Sequence, residues 1–156
     1  MRITKWGECG IVCAMYLGQH YNKESIGAQE IAEGQQLELQ YTQQVLQRLR
    51  KGGIIESSRG PRGGYRLASP PSEITLKSIL YAVEGDTFEL ICDYAPLHPQ
   101  AHESSCCSTR EQCTLHEVWK ELRVVIDSFL ERRTLVELIE SGPDVNIITK
   151  IGKIKE

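Results

Sequence analysis

Apolar residues fall at helical spacing over residues 5–19, where Ile11, Val12, Met15 and Tyr16 share adjoining turns and predict a first helix. A shorter helix is expected near 27–34, with Ile26, Ile31 and Ala32 turned inward. After a connector at 35–39, Thr42, Val45, Leu46 and Leu49 make one apolar stripe of a third helix over 40–51, which the Gly52-Gly53 pair stops. The pattern then changes. Ile54-Ile55-Glu56-Ser57 and Tyr65-Arg66-Leu67 are short β-type runs flanking a Gly/Pro turn, and together they read as a β-hairpin.

Three short helices followed by a basic-tipped hairpin is the layout of a winged helix-turn-helix. In that arrangement the third helix enters the major groove and the hairpin tip touches phosphate or the minor groove. Pro70-Pro71 closes this unit. Thr75 can cap a helix carrying Leu76, Ile79, Leu80 and Val83 that ends at Gly85. Residues 86–112 read as a long irregular loop, and loops of that length are usually functional or disordered.

A long helix is expected over 114–132, with Leu115, Trp119, Leu122, Ile126, Phe129 and Leu130 on its apolar side. That stripe is wide for the core available, which points to a partner helix from a second subunit. Thr134 and Glu137 form a capping box for a last short helix ending near Gly142-Pro143. The expected organisation is mainly α with a small β-hairpin wing. Residues 1–71 form the winged helix-turn-helix domain, 72–142 the linker helix, sensor loop and dimerisation helix, and 143–156 a flexible tail.

Composition adds little, since 40% hydrophobic and 25% charged residues are ordinary for a soluble globular protein of 156 residues. The chain has no apolar run long enough to span a membrane. No apolar segment follows the first basic residues as a secretory signal requires, so a cytoplasmic protein with reduced thiols is expected. Charge is more informative when divided. The net −3 of the whole chain combines +3 over residues 1–68 with −6 over 69–156. Within 45–68 six cations (Arg48, Arg50, Lys51, Arg59, Arg62, Arg66) face one acid, Glu56. Such a stripe suits a polyanion, because bound cations release condensed counterions from nucleic acid; an ordinary solvated face is the competing interpretation.

Six cysteines stand at 9, 13, 92, 106, 107 and 113, four of them in a 22-residue window with His98, His102 and His116 nearby. In a reduced compartment such clustering suggests a metal or redox site more than a disulfide framework. His98 and His102 read as solvent-exposed loop residues. Cys9 and Cys13, four apart, share one helix face and read first as core residues.

The run Gln40-Tyr41-Thr42-Gln43-Gln44-Val45-Leu46-Gln47-Arg48-Leu49-Arg50-Lys51-Gly52-Gly53-Ile54-Ile55, followed by Arg59-Gly60-Pro61-Arg62-Gly63-Gly64-Tyr65, resembles the IscR-like iron–sulfur regulators within the Rrf2 family of bacterial transcription factors. Ile74-Thr75-Leu76 through Ala82-Val83-Glu84-Gly85 is similar as well. So is the segment from Cys113-Thr114-Leu115-His116 to Trp119, and the resemblance spans roughly residues 1–140. It implies a homodimer that binds a palindromic site on double-stranded DNA. It also implies an Fe–S cluster, of 2Fe–2S type, held in the loop by three cysteines with a histidine shortly after the third.

Cys107, Cys113 and His116 reproduce the second half of that pattern, and Cys92 stands at the loop's start. The gap from Cys92 to Cys106 and Cys107 is much longer than in the family, and Cys106 is the alternative to Cys107. Arg62 replaces the glycine more usual in the wing. Three thiolates plus one imidazole suit a labile cluster whose loss or oxidation is the signal. A further possibility is that Glu8, Cys9 or Cys13 reaches the partner subunit's loop as a ligand.

For DNA, Gln40, Tyr41, Gln43, Gln44 and Gln47 are placed on the outer side of the third helix, where Gln pairs bidentately with adenine. Arg48 and Arg50 divide between phosphate and intramolecular pairing, whereas Arg59 and Arg62 at the wing tip are the phosphate or minor-groove candidates. The expected function is therefore a non-enzymatic regulator sensing iron, redox or nitrosative state. The alternative keeps the DNA binding and replaces the cluster by a thiol/disulfide or zinc switch, for which the adjacent Cys106 and Cys107 are suited. No C-x-x-C, H-E-x-x-H or phosphate-loop motif points to an enzyme.

Overall fold

The computed structural model describes residues 3–22, 25–60, 63–86 and 114–141. Element order is α1 (Lys5–Gln19), α2 (Ala28–Gly34), α3 (Leu39–Lys51), β1 (Ile55–Ser58), β2 (Gly64–Leu67), α4 (Leu76–Glu84), α5 (Thr114–Arg132) and α6 (Leu135–Glu140). The fold is mainly helical with one antiparallel hairpin, as expected. The expected tail, and all of the 86–112 loop beyond residue 86, lie outside the described residues.

Local chemistry explains the boundaries. Thr4 caps α1 by accepting from the Trp6 amide, and Thr75 with Ser78 makes a reciprocal capping box on α4. Thr134 likewise accepts from the Glu137 amide at the start of α6. Gly85 ends α4 with φ of 82°, a conformation that a side chain disfavours. In the hairpin Ile55 opposes Leu67 and Ser58 opposes Gly64, so the inward Ile55 and Leu67 close the wing's base over the core.

Two features go beyond the sequence pattern. Ile26 and Tyr65 exchange backbone hydrogen bonds of 2.9 and 2.8 Å, adding a single bridge to the wing. Gly64 permits this, since a Cβ there would lie 2.5 Å from the Ile26 carbonyl oxygen. Secondly, α6 returns to the first unit rather than extending the C-terminal one. Leu135 is fully buried in the core with Cys13, Leu46 and Ile79, and its amide donates to the Ile74 carbonyl. Helices α1, α3, α4 and α6 thus share one core, across the expected division at residue 71.

Helix α5 lies outside that core and is held to α4 by charge. Lys77 Nζ contacts Glu131 at 2.6 Å and Asp127 at 3.4 Å, and Arg123 pairs with Asp86. Of its expected apolar side only Leu130 is buried within the chain; Leu115, Trp119, Leu122 and Phe129 are exposed, with Val118 and Val125 beside them.

Candidate nucleic-acid interface and sensor histidine

Helix α3 has two faces with different work. Thr42, Val45, Leu46 and Leu49 are fully buried. Gln40, Gln43, Gln44 and Gln47 are exposed, and with Arg50 and Tyr65 they line one open cleft between α3 and the wing. Arg50, expected to divide between phosphate and intramolecular pairing, follows Gln47 by three residues and so lies on the same face. No periodicity reveals Tyr65; the hairpin fold brings it there.

Tyr41, expected on the outer side, is turned towards α1, and Arg48 makes intramolecular contacts. Tyr41 and Arg48 are spaced i and i+7 around Val45, and this stripe faces α1 rather than the glutamine side. Tyr41 is half-buried with its ring 4.5 Å from that of Trp6, and its hydroxyl is buried beside the Cys9 thiol without a well-formed hydrogen bond. Burial pushes that phenol's pKa up. Arg48 is exposed, but its guanidinium lies 4.2 Å from the Trp6 centroid and Nη1 donates to the Val83 carbonyl at 2.7 Å. Arg66 pairs with Glu56 at 2.5 Å across the hairpin. Arg59 is exposed at the end of β1, and Arg62 lies outside the described residues.

The candidate ligands separate similarly. Cys92, Cys106, Cys107 and Cys113 lie outside the described residues, as do His98 and His102. His116, in the first turn of α5, is 5% exposed and its Nδ1 has no hydrogen-bond partner. Among the described residues the Tyr41 hydroxyl and this nitrogen are the two buried side-chain polar atoms so left. A buried unpaired nitrogen is costly, so a buried imidazole in that state needs a reason.

Cys9 and Cys13 are 1% and 0% exposed within the core. Burial pushes both thiols up, Cys13 from 9.0 to about 12. Both positions match the reading of Cys9 and Cys13 as small core residues. Glu8 is half-buried in the first turn of α1.

A consequence follows for stability. The unfolded chain releases the Cys13 proton near pH 9 and the folded chain only near 12, so above pH 9 the unfolded state binds fewer protons. Stability is therefore expected to hold below pH 9 and to fall as the pH rises from 9 towards 12. Urea unfolding on either side of pH 9 checks this, and Cys13→Ala should lessen the fall.

The family model described as Rrf2, iron-dependent transcriptional regulator, matches residues 3–141. The chain belongs to the Rrf2 family. Members of this family are DNA-binding transcriptional regulators rather than enzymes. A curated relative, the HTH-type transcriptional regulator IscR of Serratia proteamaculans, is 31% identical over 95% of this chain and 84% of its own. Among solved structures, CymR, the global cysteine regulator of B. subtilis, superposes with a TM-score of 0.73 at 24% identity, covering 92% of this chain and 99% of that one. IscR of T. potens gives 0.68 at 24%, covering 94% and 92%. These two likenesses establish the Rrf2 winged-helix fold. No described helix is long and apolar enough to cross a membrane.

Proposed function

We propose that this chain is a cytoplasmic, homodimeric, sequence-specific regulator that senses iron, redox or nitrosative state through an Fe–S cluster of 2Fe–2S type, bound by Cys92, Cys107, Cys113 and His116. The observation that carries the sensor half is the buried, unpartnered Nδ1 of His116, three residues after Cys113. The donor chemistry fits: soft thiolates hold iron, and an imidazole can replace one of them. When bound, such a cluster supplies a reversible, oxygen-labile redox centre. The chain's own part is to fix its ligands. His116 is set by the first turn of α5, and the Arg123–Asp86 pair ties α5 to the residue just ahead of the cysteine-bearing segment.

For DNA, the cleft of Gln40, Gln43, Gln44, Gln47, Arg50 and Tyr65 reads base edges, while Arg59 and Arg62 contact phosphate. The exposed apolar stripe of α5 is the dimer face, and a two-fold dimer implies a palindromic operator. Gln44→Ala is expected to cost about 1–3 kcal/mol on a preferred duplex and to relax its sequence preference. Arg59→Ala should weaken all duplexes alike and lower the salt slope by about 1. Binding measured across a salt series on matched and mismatched duplexes checks both.

The sensor is tested by purification without oxygen, followed by visible absorption, iron and acid-labile sulfide per chain. Near-stoichiometric iron and sulfide with an air-bleached colour is expected. A protein that stays colourless after anaerobic reconstitution overturns the cluster and passes the role to a thiol/disulfide or zinc switch at Cys106 and Cys107.

A further inference from the structure

The last turn of α4 is bound to both α1 and α3 by side-chain contacts. Arg48 of α3, an exposed residue, donates to the Val83 carbonyl at 2.7 Å and lies 4.2 Å over the ring of Trp6 of α1, which makes a tilted aromatic contact with Tyr41 of α3. One residue further, Glu84 Oε1 accepts from the Thr4 amide (2.8 Å), the Thr4 hydroxyl (2.7 Å) and the Gly7 amide (2.8 Å). The carboxylate thus occupies the amide end of α1, where unpaired N–H groups and the helix dipole favour an anion.

Packing around this turn is closed. An added Cβ would meet Glu84 Oε1 at 2.5 Å from Gly7, Val83 Cγ2 at 2.7 Å from Gly10, and Ala82 Cβ at 2.3 Å from Gly52. Three glycines on two helices therefore let backbone approach residues 82–84. Joints packed this closely shift between discrete arrangements rather than yielding smoothly.

We propose that Arg48 is a positioning residue, not a phosphate contact: with Glu84 it locks the recognition helix and α1 to the last turn of α4, and so sets how α3 meets DNA. This rests on the assignment of α3 as the DNA-reading helix. The lock stands just ahead of Gly85, where the chain leaves α4 for the segment carrying Cys92.

The test uses a duplex that the wild-type full chain selects from a random library. Affinity is measured over a salt series for wild type, Arg48→Lys, Arg48→Gln, Glu84→Gln and the Arg48→Gln/Glu84→Gln double variant. Lysine keeps the charge but lacks the flat guanidinium. Both Arg48 variants are therefore expected to bind about tenfold more weakly with an unchanged salt slope. Glu84→Gln should lose a similar factor, and the double variant no more than the weaker single one, because parts of one joint are not additive.

A slope lowered by about 1 in Arg48→Gln, with Arg48→Lys near wild type, marks a phosphate contact and overturns the proposal. Additive losses, or wild-type binding by Arg48→Gln, overturn it as well. Should Arg48→Gln fail to fold, Arg48→Lys together with Glu84→Gln carries the comparison, since a phosphate contact at Arg48 predicts no loss from Glu84→Gln and the lock predicts a loss from both. A wild-type protein that selects no duplex refutes the DNA-reading assignment of α3 and removes the basis of the lock with it.

Discussion

Cys113→Ala is expected to empty the protein of iron and acid-labile sulfide, while Cys9→Ala and Cys13→Ala keep both at the wild-type level. The contrast is physical. Cys9 and Cys13 are enclosed in the core, where they pack as small apolar groups. Cys113 precedes the helix whose first turn holds His116, whose buried Nδ1 has no partner. Alanine is the better substitution because a serine oxygen can still ligate iron. Iron and sulfide assays on anaerobically purified variants, with thermal melting to establish that each is folded, give the result. Wild-type iron in Cys113→Ala would remove Cys113 from the ligand set. Cys106→Ala and Cys107→Ala distinguish the two adjacent candidates, with loss expected in Cys107→Ala.

The second large effect is on stability. Gly52→Ala adds a methyl group that would lie 2.3 Å from Ala82 Cβ and 2.9 Å from its Cα, and the latter belongs to backbone that cannot rotate away. Helices α3 and α4 must separate to admit it, at a cost of about 1–3 kcal/mol or more. Gly27→Ala adds the same methyl where nothing lies within 4 Å and φ is −68°, so it is expected to leave stability within about 0.5 kcal/mol. Urea unfolding of the two variants side by side measures the difference. Equal midpoints would mean that α3 and α4 are less closely seated than the backbone geometry requires.

Much of this architecture is legible along the chain because its signals are local. The buried stripe of Thr42, Val45, Leu46 and Leu49, the Thr75 cap, the Gly85 stop and the Gly/Pro turn of the wing each depend on neighbours a few residues away. Placement of the outer face of α3 was legible for Gln40, Gln43, Gln44 and Gln47. It did not hold for Tyr41, because polar character alone does not say which helix lies opposite, whereas Arg48 makes the intramolecular pairing that was one half of its expectation. Trp6, more than thirty residues earlier, holds the Tyr41 ring in a tilted aromatic contact and the exposed Arg48 guanidinium in a cation–π contact.

The sequence by itself determined the helices, the wing, the cation-rich stripe and the membership of the Rrf2 family, since spacing, caps and turn residues act over short range. Tertiary structure alone decided that α6 seals the first unit, that Tyr65 joins the glutamine cleft, and that Arg48 and Glu84 meet on one turn of α4. Each of these depends on groups far apart in the chain, whose burial and hydrogen bonds exist only once the helices have packed.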